Sequence, residues 1–148
     1  MTGVQTCALP IFPNQGAEAC LSTLRGRGIP IGIITRNSLK SVVSALRQFD
    51  GIESDDFDVV IAREAALPKP SPEGVFKAAD RMGCFSEELM VVGDFRFDVI
   101  AGKRAGATTV LLTNGRKSSM VPGDPKPDYV CRDLNEVVEI VLYTVTSL

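Results

Sequence analysis

Three short segments of the sequence carry side chains that can bind a phosphate group or a metal ion. The first is Thr35-Arg36-Asn37-Ser38, where a hydroxyl group stands at the start of an expected helix. Free N–H groups at a helix N-terminus are a natural binding site for phosphate. The same residues also suit an ordinary helix cap formed by Asn37 or Ser38. Thr35, Arg36 and Asn37 are therefore our candidate phosphate-binding residues.

The second segment places Lys69 between two prolines, in Leu67-Pro68-Lys69-Pro70-Ser71-Pro72. Proline restricts its own backbone and keeps the residue before it extended, so this loop should be rigid. A lysine held in this way can neutralise a phosphoryl group or a cluster of carboxylates. A solvated loop lysine is the ordinary alternative. We nevertheless take Lys69 as a candidate catalytic and phosphate-binding residue.

The third segment, Val92-Gly93-Asp94-Phe95-Arg96-Phe97-Asp98, contains two carboxylates four residues apart. Asp94 directly follows an apolar run, and Asp98 can lie on the same side of the first turn of a helix. Carboxylate pairs of this kind suit a hard, oxygen-binding cation, most naturally Mg²⁺ that keeps several waters. The alternative is a turn residue at Asp94 and an ordinary first-turn acid at Asp98. We predict that Asp94 and Asp98 form a metal site.

The elements that must position these residues follow from hydrophobic periodicity. Buried strands are predicted at 29–34, 57–62, 89–93 and 108–112, with a possible edge strand at 129–131. Helices are predicted between them: from a cap at Asn14 to Gly26, over 39–46, from a Ser71 cap with Pro72 at the first position to Met82, over 98–104, and from an Asp133 cap over 134–142. This alternation predicts one doubly wound α/β domain with a mainly parallel sheet. In such a sheet, ligands bind beyond the carboxyl ends of the strands, where all three segments lie.

Composition excludes several classes of function. The chain has 148 residues, 16 Lys+Arg against 18 Asp+Glu, and no histidine, so serine-hydrolase triads and His-ligated zinc are excluded. A net charge of −2 without a basic block argues against nucleic-acid binding. No apolar run approaches the roughly 20 residues that cross a bilayer. The cysteines lack close metal-ligand spacing, so we expect Cys20, Cys84 and Cys131 to be buried thiols in a reducing cytoplasm.

Taken together, the three segments resemble the motifs of the haloacid dehalogenase superfamily, and the resemblance runs from about Phe12 to Asn114. Thr35 is similar to the family's second motif, Lys69 in Lys-Pro-Ser-Pro-Glu to its third, and Gly93-Asp94-x-x-x-Asp98 to its fourth. The segment after Phe12 also resembles the phosphoglycolate-phosphatase-like branch. The resemblance implies a Mg²⁺-dependent phosphatase of a small phosphorylated metabolite. It implies that Thr35 and Lys69 are catalytic residues that act on the phosphoryl group. It also implies that Asp94 ligates Mg²⁺ and that Asp98 supports it through a water or a hydrogen bond.

The family's reaction starts from an Asp nucleophile in an Asp-x-Asp motif after the first strand, and this motif is expected upstream of Phe12. Asp56-Phe57-Asp58 matches it on paper but precedes a strand, which would place it at the wrong end of the sheet. In the family the first strand is central, so its loss would leave two facing rows of unpaired backbone groups. We therefore expect residues 12–148 to be the C-terminal part of the core, without the helical cap. We also expect the 148-residue chain as a whole to be marginally stable and inactive.

Residues 1–11, Met-Thr-Gly-Val-Gln-Thr-Cys-Ala-Leu-Pro-Ile, resemble the in-frame translation of a common sequencing adapter. We expect them to be an artefact that replaces the natural upstream sequence. A genuine N-terminus is the alternative. It would favour a non-catalytic module that binds a phosphorylated ligand or a protein partner.

Four further functions are alternatives, of which the first two belong to the same superfamily. A phosphosugar mutase of the same superfamily shares every motif present, and a dehalogenase would act without the metal. A receiver-type signalling domain would need its acidic pair ahead of Thr35, whereas here the pair follows Lys69. A nicotinamide-binding domain lacks its glycine-rich motif.

Overall fold

The computed structural model describes residues 3–6, 16–48, 52 and 54–146, with backbone alone described at residues 3–6, 54 and 146. In these residues strands alternate with helices. The strands are β1 Gly3–Thr6, β2 Ile31–Ile34, β3 Val59–Ile61, β4 Leu89–Gly93, β5 Thr108–Leu112 and β6 Tyr129–Cys131. The helices are α1 Ala17–Gly26, α2 Leu39–Leu46, α3 Glu73–Met82, α4 Arg96–Arg104 and α5 Leu134–Thr146, with 3₁₀ turns at Ser54–Asp56 and Ser86–Glu88.

The six strands form one sheet in the order β3-β2-β1-β4-β5-β6, and every neighbouring pair is parallel. The predicted doubly wound α/β fold is therefore confirmed. Because the strands are parallel, their carboxyl ends share one edge of the sheet. The three segments identified from sequence follow β2, β3 and β4 at this carboxyl edge.

Alternate residues of the strands point to opposite faces of the sheet and build two cores. On one face Ile31 and Ile33 of β2 pack with Met90 and Val92 of β4, against α1, α2 and α5. On the other face Ile34 packs with α3 and α4, in a core that also contains Leu89 and Val91 of β4. Each strand end is thus fixed from both sides.

One structural expectation is wrong: the position of the family's central strand is filled. The backbone of residues 3–6 forms β1 between β2 and β4, with Thr6 in register with Ile33 on one side and Val92 on the other. The two rows of backbone groups on β2 and β4 therefore face a partner strand. The reason given above for marginal stability does not hold for this chain.

Two strands are shorter than predicted. β2 begins at Ile31 rather than Ile29, and β3 spans Val59–Ile61 rather than 57–62. The Asp58 carboxylate accepts the Ile31 N–H at 2.8 Å, so a side chain rather than a neighbouring strand satisfies the first amide of β2. Hydrophobic residues alone do not show where such pairing starts.

Two helix starts also differ from the prediction. α4 begins at Arg96 rather than Asp98, because the Asp98 carboxylate reaches back to the Phe95 N–H at 3.1 Å and closes the first turn. Pro72, not Ser71, is the cap of α3, although the Ser71 hydroxyl accepts the N–H of the first helical residue. The cap predicted at Asn14 lies outside the described residues.

The remaining features agree with the prediction, with one exception among the thiols. Asp133 caps α5 through the Glu136 N–H, and β6 lies at the edge of the sheet. Cys20 and Cys131 are buried, and burial raises the pKa of each thiol to about 11. Cys84 is only half-buried, which corrects the expectation of three buried thiols. Among the helices that the structure describes, none is long and apolar enough to span a membrane.

Candidate active site

A buried ion pair lies at the carboxyl edge of the sheet. The Lys69 ammonium is 2.8 Å from Asp98 Oδ1, and the two side chains are only 6% and 5% exposed. Lys69 Nζ also donates to the Ile34 carbonyl at 3.3 Å. This lysine thus joins the end of β2 to the first turn of α4, on either side of β1. The proline-flanked loop delivers it inward, and the Lys69–Pro70 peptide bond is cis.

Gly93 makes the position of Asp98 possible. A Cβ atom on Gly93 would lie 2.2 Å from Asp98 Oδ2 and 2.4 Å from Asp98 Cβ, closer than atoms can approach. The last residue of β4 must therefore be glycine if the Asp98 side chain is to lie against the strand. This close contact is why the Gly-Asp-x-x-x-Asp spacing produces one buried carboxylate and leaves the other at the cleft mouth.

Asp94 is the exposed carboxylate of the site. The surrounding protein removes part of its hydration, and this together with the negative charge of Asp98 raises its pKa above the ordinary value. The positive charges of Lys69 and Arg116 act in the opposite direction, so both are close enough to affect Asp94. The structure therefore brings Asp94, Asp98 and Lys69 together, as the three sequence segments predicted.

Thr35 is buried at the end of β2, with its backbone N–H donated to Ile61 in β3. Its hydroxyl oxygen accepts the Asn37 N–H at 3.1 Å, so the hydroxyl hydrogen remains available to a ligand. Arg36 and Asn37 are exposed at the mouth of the cleft. The Arg36 guanidinium lies 6.0 Å from the ring centre of Phe97, at the outer limit of a cation–π contact.

The expectation of free N–H groups at the start of α2 is wrong for two residues. The Leu39 N–H is donated to the Glu64 carboxylate, at 3.3 and 3.2 Å from its two oxygens. The Ser41 N–H is donated to the Ser38 hydroxyl, which is the cap of the helix. The ordinary capping alternative therefore describes this terminus, and the candidate phosphate contact at this strand end is the Thr35 hydroxyl rather than these two amides.

The Asp56-Phe57-Asp58 match to the Asp-x-Asp motif lies at the opposite edge of the sheet, as expected. Asp58 binds the first amide of β2, and Asp56 pairs with Arg25 of α1 at 3.1 Å. Both contacts are at the amino ends of the strands. These two carboxylates are therefore remote from Thr35 and Asp94.

Sequence reasoning missed an ion pair that shapes the cleft. Arg96 donates to both oxygens of Asp124, with Nε 2.8 Å from Oδ2 and a terminal nitrogen 2.5 Å from Oδ1. The guanidinium holds the pKa of Asp124 at about 2. This ion pair holds Arg96 against the loop after β5. The 28-residue separation leaves no local pattern that could have revealed this pair.

The residues at the carboxyl edge fit a magnesium ion that takes only a few of its ligands from the protein. Asp94 offers an exposed carboxylate, whereas both oxygens of Asp98 already accept hydrogen bonds from Lys69 and Phe95. Within residues 16–48, 52 and 54–146 no cluster of three or more acidic, His or Cys side chains could enclose a metal. Mg²⁺ commonly retains waters and takes one or two protein carboxylates together with substrate phosphate, which matches this donor set.

The fold is that of a doubly wound α/β protein with charged side chains gathered at the carboxyl edge of its parallel sheet. A family model of haloacid dehalogenase-like hydrolases matches residues 9–112. The chain belongs to this family, which confirms the resemblance found from the motifs.

Curated relatives are phosphatases. The chain is 30% identical over 132 residues to pyrophosphatase PpaX of Halalkalibacterium halodurans, covering 88% of this chain and 60% of that protein. It is 30% identical over 129 residues to phosphoglycolate phosphatase of Escherichia coli K12, covering 86% and 50% respectively. The chain thus spans about half to three-fifths of the length of these relatives.

Solved structures show the same architecture. One, described as a predicted phosphoglycolate phosphatase from Haemophilus somnus 129pt, matches with a TM-score of 0.75 at 25% identity, covering 86% of this chain and 56% of that one. A second, a phosphatase of the family from Thermococcus onnurineus, matches with a TM-score of 0.70 at 28% identity, covering 86% and 57%.

Proposed function

We propose that this chain carries the phosphate- and metal-binding part of a Mg²⁺-dependent phosphatase that acts on small phosphorylated metabolites in the cytoplasm. The observation that carries the proposal is the buried Lys69–Asp98 pair beside the exposed Asp94. A buried ammonium is costly unless it is paired, and its position at a ligand-binding edge favours a functional role over a structural one. The similarity of this chain to known phosphatases supports the same class of reaction.

The proposed roles follow from the contacts. Thr35 donates its free hydroxyl hydrogen to a phosphoryl oxygen, while the Asn37 N–H holds that hydroxyl in place. Lys69 neutralises the phosphoryl group, and Asp98 holds the ammonium in position at 2.8 Å. Arg36 and the Asn37 side chain, both exposed at the mouth, are the remaining candidates for phosphate contact.

Asp94 is the proposed metal ligand. Asp98 acts indirectly, through a hydrogen bond or a water, because both of its oxygens are already occupied. When bound, Mg²⁺ offsets negative charge on the phosphoryl oxygens.

The nucleophile is the part of the reaction that this sequence does not supply. No Asp or Glu precedes Glu18, so the segment around β1 contains no carboxylate that could accept the phosphoryl group. We therefore propose that the chain is a fragment that binds ligand without turnover, and that residues 1–11 derive from an adapter. Long-read sequencing of the source DNA across the codon of Phe12 tests this directly.

Either sequencing result is informative. An open reading frame that continues upstream to a strand ending in Asp-x-Asp supports the phosphatase fragment. A genomic origin for residues 1–11 favours the second candidate, a non-catalytic module that binds a phosphorylated ligand. That candidate is supported by the absence of an acidic residue before Glu18.

The binding proposal is tested by calorimetric titration of the chain with MgCl₂ and inorganic phosphate together. Asp94→Asn should abolish the Mg²⁺-dependent part of binding, because it removes the charge of the exposed ligand. Asp80→Asn is the matched control, since Asp80 is exposed on α3 away from the carboxyl edge. Equal Mg²⁺ affinity in the chain and in Asp94→Asn would contradict the proposed metal site.

A further inference from the structure

A small recess adjoins the candidate site on the side of β5. It has a volume of about 60 Å³, and its walls include Asp94, Thr113, Arg116, Lys117 and Ser119. This is room for a few waters or for one small anionic group. Because Asp94 belongs to both the site and the recess, a ligand bound to the site at its phosphoryl end can reach the recess at its other end.

The loop that carries the recess is fixed at both ends. At its start, the Thr113 N–H is donated to the Cys131 carbonyl at 2.8 Å, and a tight turn through Asn114 and Gly115, both with positive φ, brings the chain back. At its far end, the Arg96–Asp124 pair attaches the loop to the first turn of α4. The recess is therefore preformed, which lowers the entropy cost of binding a ligand there.

The recess is electropositive and its polar groups are available. In the described residues neither Arg116 nor Lys117 forms an ion pair, and both are exposed. The Ser119 hydroxyl is buried and has no hydrogen-bond partner in the described part of the chain. It can thus reorient toward a ligand without losing a hydrogen bond. Two cations and a free hydroxyl are the groups that recognise a carboxylate or a phosphate.

We propose that Arg116, Lys117 and Ser119 form a subsite for a second anionic group of the substrate. The substrate would then be a small molecule with a carboxylate or a second phosphate a few bonds from its reacting phosphoryl group. This inference rests on the proposed function, since it assumes that the phosphoryl group lies at Thr35, Lys69 and Asp94. The subsite confers specificity and takes no part in the chemical step.

Calorimetry with MgCl₂ present tests the subsite with three ligands of similar size. 2-Phosphoglycolate carries a carboxylate, pyrophosphate carries a second phosphate, and 2-hydroxyethyl phosphate carries a neutral hydroxyl in the same place. The two anionic ligands should bind about tenfold more tightly than the neutral one, as one charge-assisted contact predicts. The comparison of 2-phosphoglycolate with pyrophosphate shows which anion the recess prefers.

The variants Arg116→Gln and Lys117→Gln should remove most of this preference, because they should weaken binding of the two anionic ligands more than binding of 2-hydroxyethyl phosphate. Lys126→Gln is the matched control, because Lys126 is an exposed lysine that follows in the same chain segment and does not line the recess. Equal affinities for the anionic and neutral ligands would overturn the subsite alone. Absence of binding by all three ligands would overturn both the subsite and the phosphate site.

Discussion

Replacing Lys69 by methionine should destabilise the fold strongly, because it leaves a buried carboxylate without its ionic partner. The Asp98 side chain is 5% exposed, and without Lys69 its remaining hydrogen bond within the described residues is the one from the Phe95 N–H at 3.1 Å. Breaking a buried pair by removing one partner costs about 3–5 kcal/mol. That is a large share of the roughly 5–15 kcal/mol that holds a domain folded.

The reciprocal variant and the double variant make the reasoning quantitative. Asp98→Asn removes the carboxylate that lies 2.8 Å from the buried Lys69 ammonium, so it leaves that ammonium without this counter-charge and should cost a similar amount. The double variant Lys69→Met/Asp98→Asn removes both charges. It should therefore lose no more free energy of unfolding than either single variant, since a buried pair replaced as a whole is often close to neutral.

The measurement is urea denaturation followed by circular dichroism, with sucrose present to keep the weakest variant folded. Lys103→Met is the control, because it breaks an ion pair with Asp128 of 2.6 Å whose side chains are 31% and 38% exposed. Such an exposed pair contributes at most about 1 kcal/mol. Additive losses in the double variant, or a loss in Lys69→Met no larger than in the control, would refute the buried-pair argument.

Three further outcomes follow from the contacts. Gly93→Ala should lower the free energy of unfolding by about 1–3 kcal/mol and weaken phosphate binding, because the new Cβ lies 2.2 Å from Asp98 Oδ2. Asp124→Asn should make the fall in thermal stability between about pH 4 and pH 2 less steep. Arg96 holds the pKa of Asp124 at about 2 in the folded chain, below the value near 3.9 in the unfolded chain. The ion pair therefore contributes its full stabilisation above about pH 3.9 and loses it as the pH falls toward about 2. Deleting residues 1–11 should abolish cooperative unfolding in urea, since it removes β1 and leaves β2 and β4 facing an open gap.

Each of these outcomes has a control or a contradicting result. Gly26→Ala adds a Cβ with no atom within 4 Å at the end of α1, so it should leave stability unchanged or slightly raised. A comparable loss in both glycine variants would contradict the steric argument. Identical pH profiles for the chain and Asp124→Asn, or cooperative unfolding of the deleted chain, would contradict the other two.

The alternating strands and helices can be predicted from the sequence, whereas the contacts between residues distant in the chain cannot. Buried strands such as β4 are continuous apolar runs, so their existence and their parallel arrangement follow from local pattern. β1 is four residues that include glycine and glutamine, and it pairs because β2 and β4 present two open edges. Local propensity does not contain that information.

The site shows the same division. Asp94, Asp98 and Lys69 stand in compact motifs, whose order and spacing along the chain indicate them as candidate site residues. The Arg96–Asp124 pair joins residues 28 positions apart, and no periodicity connects them. The start of α2 is predicted to offer free N–H groups to phosphate, but the Leu39 N–H is donated to the carboxylate of Glu64. Glu64 lies 25 residues away in the chain, so no local pattern indicates this contact.

The central claim is that phosphate and Mg²⁺ bind together at the carboxyl edge of the sheet. Titration of the isotope-labelled chain with inorganic phosphate and MgCl₂, followed by amide NMR shifts, tests it most directly. We expect the largest shifts at Thr35, Asn37 and Asp94. A different cavity of about 280 Å³ lies at the amino edge of the sheet and is lined by residues that include Arg25 and Asp56. Shifts confined to that cavity, or no shifts at all, would contradict binding at the carboxyl edge.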